Sequence, residues 1–144
     1  MRTRAIVVIT IFLTACSSSP TAPSTGDGSS STGDDSSSTP QTVTLTMVQQ
    51  QIFNTSCVNC HGATSPHAGL DLSVGQSHAS LVNVTSPHSG SVFVVPDNPD
   101  ASYLVNKVRG TNIVGDRMPP SGSGLSSNLI TPLTNWIQQG ALNN

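Results

Sequence analysis

The stretch Cys57-Val58-Asn59-Cys60-His61 constrains this chain more than any other. It sets two thiols three positions apart and puts an imidazole directly after the second. Three familiar chemistries use such a thiol pair. A redox-active Cys-x-x-Cys usually stands beside a βαβ unit, and no such alternation is written around it. A structural zinc wants four ligands, and no second Cys-x-x-Cys follows. A structural disulfide needs the thiols alone.

Covalent haem attachment uses all three residues. Two thiols at this spacing reach the two vinyl groups on one edge of a porphyrin, and the following imidazole lies beneath the iron. The segment resembles the haem-binding motif of the c-type cytochromes. That resemblance implies one haem c, with Cys57 and Cys60 as its thioether anchors and His61 as an iron ligand. It implies an all-α fold, a small domain of three to five short helices wrapped around the haem and joined by long loops.

Charged residues make up 8% of the chain, glutamate is absent, and the formal net charge is −2. The basic residues are Arg2, Arg4, Lys107, Arg109 and Arg117. Five scattered cations form no track for phosphates, so a nucleic-acid partner is not expected. Aromatics are 3%, sparse for a domain that builds its own core. A porphyrin would add a large apolar plate; the alternative is a small, weakly stable domain packed with Val, Leu and Ile.

The first 15 residues read as a lipoprotein signal peptide. Arg2 and Arg4 supply the positive end, and residues 5–13 are an apolar run too short to span a bilayer. Leu13-Thr14-Ala15-Cys16 resembles a bacterial lipobox. By that resemblance Cys16 is lipidated and anchors an exported protein to a bacterial membrane, with the outer membrane slightly favoured by Ser17. The domain then works in the periplasm or at the cell surface. The cysteines close without remainder: Cys16 takes lipid, Cys57 and Cys60 take haem, and no free thiol is left. Residues 17–39 are Ser, Thr, Pro, Gly and Asp apart from Ala22. They cannot bury a core, so residues 16–41 read as a disordered tether.

The haem domain is expected over residues 42–144. Val48, Ile52 and Phe53 recur at helical spacing, with Thr44 or Thr46 as cap, and predict a helix over 46–56 that runs straight into Cys57. A short helix is expected over 76–82 with Ala79, Leu81 and Val82 partly buried. An extended piece follows at 91–95. Another helix is expected over 101–108, capped by Asn98 or Asp100 and stopped by Gly110. The last runs from Ser127 or later to Gln139. Pro132 should either lie in its first turn with Thr131 as cap or bend it.

An electron-transfer haem takes a second axial ligand. Met1 leaves with the signal and Met47 lies in the first helix, which leaves Met118, in Asp116-Arg117-Met118-Pro119-Pro120. Cytochromes of the class I type commonly carry a methionine ligand in a Met-Pro loop, and a soft thioether suits haem iron. Core filling is the plainer role of a methionine. His78, His88 and then His67 are the other candidates. Leu70-Asp71-Leu72, Ser102-Tyr103-Leu104 and Trp136-Ile137 with Gly140-Ala141 also resemble small bacterial monohaem domains. Tyr103 and Trp136 would pack around the porphyrin or serve as ordinary core aromatics. Lys107, Arg109 and Arg117 would neutralise the haem propionates, meet an acidic partner, or form a solvated face.

The resemblance implies an electron carrier rather than an enzyme, exchanging electrons with a donor and an acceptor protein. Two alternatives stay open. One is a haem enzyme subunit or gas-binding protein with an open sixth position. The other is a haem-free surface lipoprotein that uses Cys57 and Cys60 for a disulfide or zinc.

Overall fold

The computed structural model describes residues 41–64 and 66–144. The export signal, Cys16 and all of the tether but Gln41 lie outside them. The described residues hold four α-helices, α1 (Leu45–Val48), α2 (Ser77–Leu81), α3 (Tyr103–Arg109) and α4 (Ser127–Gln138). Their β pairing is limited to two isolated bridges, Val82 with Val94 and Thr85 with Val92. The fold is a small all-α domain of the cytochrome c kind. None of these helices is long and apolar enough to cross a membrane.

α1 starts where expected. The Thr44 hydroxyl accepts the Met47 N–H at 3.2 Å. The free donors of its first turn are met from the far end of the chain. Leu45 N–H donates to Asn144 Oδ1 at 2.9 Å and Thr46 N–H to the Asn144 main-chain oxygen at 3.0 Å. Such partners answer the unmet N–H groups that every helix start exposes. From Gln49 to Cys57 the helix continues as a π-helix. The wider turn brings Gln49 and Asn54, five positions apart, into a 2.8 Å side-chain bond. Gln49 is buried, and its amide also donates to the Leu72 carbonyl at 2.9 Å and accepts from the Ser77 hydroxyl at 2.6 Å.

The extended piece at 91–95 forms no sheet, as its length implied, but it caps a helix. The carbonyls of Val92 and Phe93 accept the N–H groups of Tyr103 and Leu104 at 3.0 and 2.9 Å. α3 therefore begins later than expected. Asn98 caps the preceding turn instead, accepting the Ala101 N–H at 3.0 Å. The buried Ser102 hydroxyl accepts from Val95 N–H and donates to the Asn98 carbonyl. Gly110 ends α3 with φ +77°, a conformation that suits glycine. α2 keeps Leu81 buried, but Ala79 is exposed.

α4 corrects the reading of Pro132. The helix begins at Ser127, so Pro132 is interior, and Thr131 is not its cap: the Thr131 hydroxyl donates back to the Ser127 carbonyl at 3.1 Å. A proline there removes the bond to the Asn128 carbonyl. Asn128 lies on the exposed side of the helix.

The core joins the apolar faces of α1, the π-helix, α3 and α4. Trp136, Leu133 and Ile137 are fully buried at its centre beside Val48, Ile52, Phe53, Val105 and Leu81. Trp136 is thus a core aromatic, its indole N–H donating to the Leu142 carbonyl at 2.9 Å. Tyr103 is buried too, with its hydroxyl accepting the Val114 N–H at 3.0 Å.

Candidate haem site

The attachment stretch leaves the π-helix without a break. Val58 N–H donates to the Phe53 carbonyl at 3.0 Å, which extends the π ladder past Cys57. Cys60 and His61 N–H groups then both turn back to the Cys57 carbonyl, at 3.1 and 2.9 Å. This tight turn puts the two thiols and the imidazole on one short, hydrogen-bonded arc. Gly62 closes it. A Cβ built there would stand 2.5 Å from the Val58 carbonyl oxygen, so only glycine fits without moving the turn. Further on, His67 N–H donates to the Cys60 carbonyl at 2.9 Å and Leu72 N–H to the His61 carbonyl at 2.7 Å. The Leu70-Asp71-Leu72 piece therefore braces the arc from outside.

Both thiols are free, Cys57 half-buried and Cys60 exposed. Burial pushes the Cys57 thiol up to about 11, and the neighbouring Cys60 adds to the rise. A redox-active cysteine needs the opposite, a thiol made acidic by its surroundings. Among the described residues no three His, Cys, Asp or Glu side chains converge where a metal ion would sit. The tetrahedral set of a structural zinc is not assembled there.

His61 is oriented by the main chain. Its Nδ1 lies 3.1 Å from the His67 carbonyl oxygen. A carbonyl only accepts, so Nδ1 carries the proton and Nε2 carries the lone pair. The His67 ring stands edge-on to His61, with centroids 6.2 Å apart. Burial lowers the His61 pKa below its ordinary value; the His67 and Leu70 carbonyls, which favour the cation, offset only part of this. Lys107 adds to the lowering, so its ammonium lies within electrostatic reach of the imidazole. A neutral imidazole with a directed Nε2 lone pair, beside two free thiols, is the donor set a c-type haem requires. Cys57, Val58, Leu70 and Phe93 stay half-buried against the core and offer apolar surface next to it.

Residues 57–122 match the family model described as Planctomycete cytochrome C. The match supports a c-type cytochrome domain over this segment. No curated protein and no solved structure matches the chain. The family carries a covalent haem c with its iron, and the thiols and imidazole just described fit it.

The other expected residues fall in different places. Met118 is half-buried in the loop between α3 and α4, and its N–H donates to the Lys107 carbonyl at 2.9 Å. His78 is occupied elsewhere, its Nε2 lying 3.0 Å from the Ala141 carbonyl oxygen. His88 and His67 are exposed. Of the three cations, Arg109 makes an exposed 3.4 Å pair with Asp100. Lys107 and Arg117 bind backbone carbonyls instead. The Lys107 ammonium donates to the Val114 and Asp116 carbonyls. Arg117 Nε donates to the Val108 carbonyl at 3.0 Å, and Nη2 to the Leu125 carbonyl at 3.4 Å. The sequence offered these cations to propionates or a partner; it held no sign that two would bind their own backbone. Two grooves, of about 290 and 200 Å³, open near α1 and the C-terminal residues rather than at the attachment arc.

Proposed function

We propose that this protein carries single electrons on one haem c, ligated by His61 and Met118, between a donor and an acceptor protein outside the cytoplasm. The bound haem supplies one-electron chemistry at its iron. The chain supplies the thiol anchors Cys57 and Cys60, the imidazole, and the surface on which the porphyrin rests. The observation that carries the reading is the His61 imidazole held by the His67 carbonyl with Nε2 left free, next to two unpaired thiols.

Met118 is the second ligand in this reading. Its loop is rich in glycine and proline, it is half-buried, and it hangs from Lys107, the residue whose charge reaches His61. His/Met ligation raises the potential and suits a carrier rather than a catalyst. In the same reading Cys16 is lipidated and the 16–41 tether lets the domain move between partners at a bacterial membrane, with the outer membrane favoured. The protein serves as a free carrier or as a subunit of an oxidoreductase.

Haem staining on a denaturing gel, with a pyridine haemochrome spectrum, tests covalent attachment. Cys57→Ala/Cys60→Ala should abolish the stain. Met118→Ala should remove the sulfur-to-iron band and lower the potential. Rapid carbon monoxide binding to the reduced wild-type protein would show an open sixth position and overturn Met118 ligation.

A further inference from the structure

The loop between α3 and α4 has almost no regular structure of its own, yet it carries Met118. Tyr103 and Lys107 each tie it to α3, and Arg117 alone reaches from it to both of its ends. Arg117 lies between the backbones of two glycines. A Cβ on Gly110 would stand 3.0 Å from Arg117 Cδ, and one on Gly124 would stand 2.4 Å from Nε and 2.5 Å from Cζ. Both glycines adopt φ +77°, so neither place suits another residue. From this slot the guanidinium donates to Val108 at the end of α3 and to Leu125 just before α4. It ties together the two ends of the loop. Lys107 adds two exposed bonds inside the loop, to Val114 and Asp116.

We propose that Arg117, seated in the Gly110–Gly124 slot, is the positioning residue that holds the Met118 thioether against the iron. The proposal rests on the His61/Met118 reading. Arg117 acts by fixing the segment one residue before the ligand. A planar fork fixes the angle between two carbonyls, which the freely rotating ammonium of a lysine does not. Lys107 does the same work more weakly, because its bonds face solvent.

Exogenous imidazole, titrated into the oxidised full-length holoprotein, competes with the sulfur and reads its hold on the iron. Hydrogen bonds from a charged donor hold by enough to change such an equilibrium about tenfold or more. Arg117→Ala should therefore raise imidazole affinity at least about tenfold and weaken the sulfur-to-iron band, while haem staining stays complete. Arg117→Lys should fall between the two. Gly124→Ala should imitate Arg117→Ala by driving the guanidinium out. In the double variant Arg117→Ala/Gly124→Ala the second change should add nothing to imidazole affinity, because no guanidinium remains to be displaced. If Arg117→Ala leaves the band and imidazole affinity unchanged while Met118→Ala abolishes the band, the positioning role is wrong. If Met118→Ala itself leaves the band intact, it is the ligand reading that fails. A melting temperature that falls with no change in imidazole affinity also overturns the proposal, since it leaves Arg117 a purely structural part.

Discussion

The attachment arc and the Met118 loop are held in place in two different ways. From residue 36 to residue 70 the chain has no Asp, Glu, Lys or Arg. The arc is shaped by main-chain bonds between near neighbours: Val58 to Phe53, Cys60 and His61 to Cys57, His67 to Cys60. The loop has few such bonds and is shaped by the side chains of Lys107 and Arg117 reaching its carbonyls. In the proposed His61/Met118 reading, the histidine is set by local backbone geometry and by the two thiol anchors, and the methionine by side chains that a single substitution can release. A haem protein built this way would hold its histidine firmly and its second ligand adjustably.

The same substitution in each region separates the two modes and should give the largest contrast. Gly62→Ala puts a methyl group 2.5 Å from a backbone oxygen inside the arc. The turn has to open, at a cost of about 2–3 kcal/mol, and the yield of stained haem should fall. Gly115→Ala in the loop meets nothing within 4 Å. Its cost is the left-handed backbone alone, about 1 kcal/mol, and haem attachment should be normal. Thermal unfolding and stained haem per chain measure both. Equal loss of haem in the two variants would break the comparison.

Next in size is a contrast between hydrogen bonds. Gln49 is buried, and its amide serves Leu72, Asn54 and Ser77 behind the arc. Gln49→Ala leaves the Leu72 carbonyl and the Ser77 hydroxyl unpartnered, at about 2 kcal/mol and roughly 10 °C in Tm. Lys107→Ala removes two exposed bonds from the loop. It should cost below about 1 kcal/mol and show more clearly in imidazole affinity than in Tm.

The same contrast explains how much the sequence revealed. The apolar spacing of Val48, Ile52 and Phe53 and the Thr44 cap are local signals, and they mark the first helix to within a residue at each end. Gly110 marks the end of α3 for the same reason. The attachment residues are contiguous, so their chemistry could be read before any fold was known. The π register had no such mark, because its bonds shift by one position without changing which faces are apolar. Pro132 left two placements open in the sequence, and the start of α4 at Ser127 excludes the one in its first turn. Arg117 and Lys107 were legible as charges only. What they bind depends on Val108 and Leu125, brought near by the packing of α3 and α4.

The smallest effect distinguishes the two regions by pH. Asp71 ends the charge-free stretch, and its Oδ1 accepts from the Ser73 N–H at 2.9 Å and from the Ser73 hydroxyl. These bonds, the hydroxyl first, hold its carboxyl below the ordinary value of 3.8. A group depressed in the folded state stabilises above its unfolded pKa and loses that contribution as pH falls through the folded one. The brace at Leu72, whose N–H reaches the His61 carbonyl, should therefore loosen as pH falls below 3.8. Asp71→Asn should flatten this acid limb in unfolding curves while leaving stability near pH 7 little changed, since an asparagine Oδ1 still accepts the Ser73 bonds. Its effect on imidazole affinity should be nil, because the brace serves the arc and not the loop. A change there would mean that the two regions are coupled through Leu70-Asp71-Leu72, and that the histidine side is less independent of the methionine side than their separate bonding implies.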